Sequence, residues 1–208
     1  SLTFSFVHGL KGSVDIKSQN DLSAVKHTEF NMNTPLSLFS MPTIITDSLG
    51  DDNMSGVDIV EIAGVSTASQ ISLEVVFSSD TDILANQAGG SILLDLDQNS
   101  ATGKPISDFW FALATQDVGS EYFLSLYPDK VELRDADTST ILATLPVTQT
   151  THALSFNVPL SLLDNDEGNM NLVAIMGNAD GPTDLAPEIG FGTLHVFTIQ
   201  YLPIIKNQ

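Results

Sequence analysis

In QISLEVVFS (residues 70–78), Ile71, Leu73, Val75 and Phe77 alternate with Ser72, Glu74 and Val76. A period of two puts the first set on one face of an extended chain, so the stretch predicts a half-buried β-strand. Similar runs follow at short intervals: SILLDLD (91–97), DFWFALAT (108–115), EYFLSLY (121–127), KVELRD (130–135) and TILATLPV (140–147). HALSFNVPL (152–160), NLVAIMG (171–177) and GTLHVFTIQYL (192–202) complete the set. Pro128-Asp129 supplies hairpin-turn chemistry between two of them. No long helical periodicity interrupts the series, and only PLSLL (159–163), with Pro159 at its start, predicts a helical turn. Many short strands separated by turn residues predict an all-β fold: a two-layer antiparallel β-sandwich, jelly-roll-like, of about nine or ten strands.

Two stretches are too rich in Pro, Gly and Asp to match this pattern and are expected to be loops. They are MPTIITDSLGDDNMSG (41–56) and GNADGPTDLAPEIGFG (177–192). The first forty residues are weakly patterned and are expected to be an N-terminal extension or edge strands of one domain spanning 1–208.

The chain has 26 acidic and 7 basic side chains among 208 residues, a formal net charge of −19. That excess excludes nucleic acid as a partner, which needs a basic patch. No apolar run is long enough for a membrane span, so membrane insertion is not expected. There are no cysteines, which removes disulfides, zinc-thiolate sites and cysteine nucleophiles together. SLTFSFVHGL lacks the form of a signal peptide, yet a chain that begins at Ser1 without Met fits a processed or a trimmed protein, and export is the expectation inferred from it.

The acidic residues are not spread evenly. In ILLDLDQNSATG (92–103), a strand ends in Asp95 and Asp97, followed by Asn99. Alternation sends Leu94 and Leu96 to one face and both aspartates to the other. Carboxylates that close repel unless a cation sits between them, and calcium takes oxygen ligands of these kinds. The D-x-D-x-N spacing matches the start of an EF-hand loop. The match then stops: Ser100 replaces the loop glycine and Ile106 the bidentate glutamate. A second group, Asp47, Asp51, Asp52 and Asp58, is either a metal site or an acidic loop. Asp184, between Pro182 and Pro187, is expected to anchor its loop through backbone amides or through a metal.

D-x-x-G-D-D, V-D-I, L-D-x-D-Q-N-x-A-T-G, S-D-F-W-F-A-L and P-T-D-L-A-P occur in this order over residues 45–195. The series resembles secreted bacterial β-sandwich modules, and is similar to the DOMON-like and family 9 carbohydrate-binding group. The resemblance implies an extracytoplasmic sandwich with structural calcium, possible glycan binding, and partner domains in a larger secreted chain. It also implies that Asp108 approaches the loop carrying Asp95.

Nothing in the sequence selects a catalytic constellation. His8, His27, His152 and His195 are scattered, and no G-x-S-x-G elbow or phosphate loop occurs. The expectation is a non-catalytic, calcium-stabilised extracytoplasmic module with a structural or accessory role. The alternative is a carbohydrate-binding module, in which Trp110, facing opposite to Phe109 and Phe111, stacks on a sugar. A hydrolase built on two of the many carboxylates is the third reading.

Overall fold

The computed structural model describes residues 13–16, 26–29, 41–51, 57–78, 82–84, 87–109, 118–178 and 181–196. Contacts divide the chain into two compact units, residues 1–40 with 199–208 and residues 41–198. In the first of these units β1 (Ser13–Ile16) pairs antiparallel with β2 (Lys26–Glu29).

The described residues between 41 and 196 are nearly all in β-strands and their turns. Their strands are β3 (Thr43–Thr46), β4 (Ile59–Ser66), β5 (Gln70–Phe77), β6 (Gly89–Asp95), β7 (Lys104–Pro105) and β8 (Gly119–Ser120). Then come β9 (Tyr122–Leu126), β10 (Lys130–Asp135), β11 (Ile141–Gln149), β12 (Ala153–Pro159), β13 (Met170–Asn178), β14 (Gly181–Ala186) and β15 (Gly192–Leu194). One antiparallel ladder runs β14-β13-β6-β9-β10-β11-β12-β5-β4-β3, with β15 also on β13. Strand β11 carries it between the two layers. It pairs with β10 through Pro146 and with β12 from Val147 onward. Proline has no N–H to donate, so it suits the point where the strand changes partner.

Alternation along β5 is as the sequence predicts, with Ile71, Leu73, Val75 and Phe77 in the core. From the opposite layer Ile92, Leu94, Leu124 and Leu172 join the same cluster. A second, smaller cluster lies on the outer face of that layer. Leu93, Phe123, Val173, Ile175 and Leu185 pack there with Ile106 and Val118. Phe109 meets Phe123 edge-on, with ring centroids 5.1 Å apart. Strand β13 is therefore buried on both faces, which is why NLVAIMG is continuously apolar instead of alternating.

The Pro128-Asp129 hairpin joins β9 to β10, its Tyr127 N–H donating to the Lys130 carbonyl at 2.9 Å. A 3-10 turn spans Leu160–Leu162 directly after Pro159. Three expectations need correction. Residues 41–56 are not all loop, because the β-branched run Thr43–Thr46 forms an edge strand paired with β4. Residues 177–192 contain β14, an edge strand on β13, and a proline is tolerated in an edge strand. The strand expected over 108–115 does not begin there, since Ile106–Asp108 is a 3-10 turn; residues 110–117 lie outside the described set.

The two ends of the ladder meet. Ser66 and Val196 form a parallel bridge, and the Ile59 N–H donates across to Asp184 Oδ2 at 2.5 Å. Gly192 of β15 lies against β3, where a Cβ would stand 2.4 Å from Ile45 Cγ1 and 2.8 Å from Ile44 Cγ2. Gly192→Ala is therefore expected to lower stability by about 1–3 kcal/mol, the usual cost of overpacking. Leu142→Ala, at a side chain 46% exposed, should stay within about 0.5 kcal/mol of the parent. Urea denaturation midpoints measure both, and equal shifts would contradict the close approach at the seam.

Candidate metal centres

The first acidic group grows out of the end of β6. Ile92 and Leu94 face the main core, whereas Leu93 belongs to the outer cluster, and Asp95 shares its face. Asp95 is 0% exposed. Its register partner on β13 is Asn171, whose Nδ2 donates to Asp95 Oδ2 at 3.3 Å. The backbone N–H of Asn99 donates to Asp95 Oδ1 at 3.1 Å and to Asp97 Oδ1 at 3.0 Å. Thr102 Oγ1 donates to Asp97 Oδ2 at 2.8 Å, which closes the loop on itself.

A third carboxylate comes from farther along the chain. Strands β7 and β8 pair and draw the residue after β8, Glu121, against the loop. Gly119 permits this, since a Cβ there would sit 1.8 Å from the Thr102 carbonyl oxygen. Glu121 Oε2 accepts the Leu96 N–H at 2.9 Å, while its Oε1 is buried and accepts no hydrogen bond. One oxygen each from Asp95, Asp97 and Glu121 lies within 4.8 Å of the others. Burial raises the carboxyls of Asp95 and Glu121 above their ordinary range; the Asn171 amide and the Leu96 N–H respectively pull the other way. An oxygen-only set with an enclosed, donorless acceptor suits a hard divalent cation.

Asp95 and Asp97 are thus brought together as the sequence predicts. Asn99 serves the group through its backbone N–H, and its side-chain oxygen accepts from the Ala101 N–H. Asp108 is exposed at the end of its 3-10 turn and stands outside the three-carboxylate group. Glu121 escaped the sequence reading because strand pairing, not local spacing, delivers it. The available signal was an acidic residue heading EYFLSLY, a strand that pairs with ILLD.

The second group sits where the ladder ends meet. Asp47 follows β3, Asp58 precedes β4, Asp184 lies in β14, and Asp51 and Glu188 come from the connecting turns. Oxygens of Asp47, Asp51 and Asp184 lie within 4.8 Å of one another. Asp184 is buried and accepts the N–H groups of Ile59 and Leu185, the second at 2.8 Å. Asp184 thus accepts backbone amides from a position in β14, not in the loop expected for it. Asp58 accepts the Gly50 N–H at 3.2 Å. Both oxygens of Asp47 are shut off from solvent, and the neighbours acting on them are the carboxylates of Asp184, Glu188 and Asp51, of which Glu188 also shares a hydrogen bond with it. Asp52 and Trp110 lie outside the described residues, and with Trp110 the expected sugar-stacking face.

Burial, with repulsion from Asp184, Glu188 and Asp51, pushes the Asp47 carboxyl up to about 8. Asp51 rises to about 6, first through its hydrogen bond with Glu188, then through burial. Asp184 also rises to about 6 through burial, against the Ile59 and Leu185 amides. Glu188 is lowered, chiefly by that hydrogen bond with Asp51.

No protein-family model, curated protein or solved structure matches the chain.

The shifts set a pH dependence. Unfolded, the three aspartates release their protons near 3.8; folded, they hold them to about 6, 6 and 8. Their contribution to stability is complete below the unfolded value and is lost as pH rises through the folded ones. In chelator the thermal midpoint should therefore fall between about pH 4 and about pH 8. Asp47→Asn should flatten the upper part of that fall. A variant profile that runs parallel to the parent between pH 6 and pH 8 would remove Asp47 as the cause.

Proposed function

We propose that this chain is a non-catalytic β-sandwich module stabilised by calcium, with a structural or accessory role outside the cytoplasm. The observation that carries the reading is the group at the end of β6. There a fully buried aspartate, Asp95, shares a site with Asp97 and with the enclosed, donorless oxygen of Glu121. A carboxylate out of water is costly unless it is paired or neutralised. Among the described residues, Lys130 and Arg134 pair with Glu132 and Lys104 lies over the Phe109 ring. A bound cation is one neutraliser open to this group, and a proton, favoured by the burial that raises Asp95 and Glu121, is the other.

Calcium suits the donor set because it accepts six to eight oxygens in flexible geometry. Asp95, Asp97 and Glu121 would hold it, and the Asn99, Leu96 and Thr102 donors would orient them. The ion would neutralise charge and fasten the loop over the outer apolar cluster. The extracytoplasmic setting is part of the proposal, since calcium sites of weak affinity suit modules that work outside cells. The resemblance to secreted sandwich modules points the same way.

A cation that binds only the folded chain adds about 2.7 kcal/mol at a hundredfold excess over its dissociation constant. For a chain of this size that corresponds to a rise of roughly 5–10 °C in the thermal midpoint. Calorimetric titration should show that Asp97→Asn/Glu121→Gln removes one calcium equivalent. The same variant should melt in chelator no lower than the parent. Unchanged stoichiometry in the variant, with equal parent midpoints in calcium and chelator, would refute the assignment.

A further inference from the structure

We infer that the first part of β11, residues 141–145, is an interface at which two copies of this chain pair edge to edge, antiparallel about a two-fold axis near Ala143. The inference needs neither acidic group and no cation.

Three observations carry it. The first is an open strand edge. Strand β11 pairs with β10 between Ile141 and Pro146, but with β12 only between Val147 and Gln149. Among the described residues, no strand pairs with the other edge of 141–146. Such an edge offers a row of N–H and C=O groups that another extended strand can complete. The second is apolar surface on that edge. Four of its six residues are exposed, among them Ile141 at 48% and Leu142 at 46%. Consecutive strand residues point to opposite faces, so these two would flank an added strand on both sides.

The third observation is charge, and it decides the occupant. Two bodies that each carry −19 repel, so they meet most readily where carboxylates are absent. Residues 138–163 contain no Asp, Glu, Lys or Arg, although 16% of the chain is charged. On the neighbouring strand β10, Glu132 is neutralised by Lys130 at 2.7 Å and by Arg134 at 2.6 Å. Those two and Lys104 are the only Lys or Arg between 41 and 198, so the strip lies beside much of the little positive charge available. A cationic partner would be drawn to the carboxylates elsewhere on the surface. The strip suits a strand as uncharged as itself, and a two-fold axis supplies one. Pro146 has no N–H and ends the pairable stretch, so the contact is short and the association belongs to the weak, transient class.

The test is sedimentation of the full chain from micromolar to millimolar concentration. The parent should pass from monomer to dimer, and sodium chloride should strengthen the dimer by screening the charge on the two bodies. Leu142→Lys should raise the dissociation constant about a hundredfold, because it sets an unpaired charge into the pairing strip. Leu84→Lys makes the same change of net charge at a side chain 64% exposed elsewhere, and should dimerise like the parent. In amide exchange, the parent N–H groups of 141–145 that do not donate to β10 should slow as concentration rises. That readout stands even if a variant does not fold. A parent monomeric at every concentration would overturn the inference and leave the edge to a strand of some other chain. Undiminished dimerisation of Leu142→Lys, a dimer weakened by salt, or edge amides indifferent to concentration would each overturn it as well.

Discussion

The hydrogen bond from Ile59 N–H to Asp184 Oδ2 joins two strands that do not pair with each other in the ladder. Strand β4 lies between β3 and β5, but its pairing with β3 stops at Glu61, and backbone groups beyond that point must find other partners or face water. A side-chain carboxylate supplies one here, a charge-assisted bond of roughly 1.5–3 kcal/mol. The same carboxylate stands within 4.8 Å of two others. At an effective dielectric constant of 20, two unit charges at that separation repel by about 3 kcal/mol. Unneutralised, the repulsion therefore equals or exceeds the bond that closes the seam. Whatever neutralises the aspartates determines how firmly the two layers are held at that end.

The two acidic groups differ in what they connect. Asp95, Asp97, Asn99 and Thr102 belong to one turn, and only Glu121 and Asn171 come from neighbouring strands. Ordering that turn requires little long-range closure. The seam group ties segments at opposite ends of the ladder. Closure entropy grows only slowly with the length of chain enclosed, so the penalty for reaching so far is modest. The gain, a fixed relation between two edges, is correspondingly larger.

How much of this was legible in the sequence depended on whether the signal was local. The alternation of Ile71, Leu73, Val75 and Phe77 identifies β5 directly, and Pro128-Asp129 marks the hairpin between β9 and β10. The all-β class followed from many such signals in series. Thr43–Thr46 and Gly181–Ala186 were misread as loop because Pro42, Gly181 and Pro182 dominate local propensity, and an edge strand tolerates them. The pairing of Asp95 with Asp97 was legible because strand alternation alone places them on one face. Glu121 and the union of Asp47 with Asp184 were not, because each arises from strand pairing over a long separation. A pattern of period two identifies a strand's faces but carries no record of which strands become neighbours.

The overall charge of −19 invites the simpler account that salt screens the acidic residues. Screening acts over the Debye length, about 8 Å at physiological ionic strength, and works between charges separated by water. It explains how exposed carboxylates such as Asp97 and Asp108 coexist on a surface. It does little for Asp95, Asp184 or the Asp47 oxygens, which have been removed from solvent and lie closer together than a screening length. Salt relieves the surface, whereas a carboxylate removed from water is costly to keep charged without a partner in contact with it.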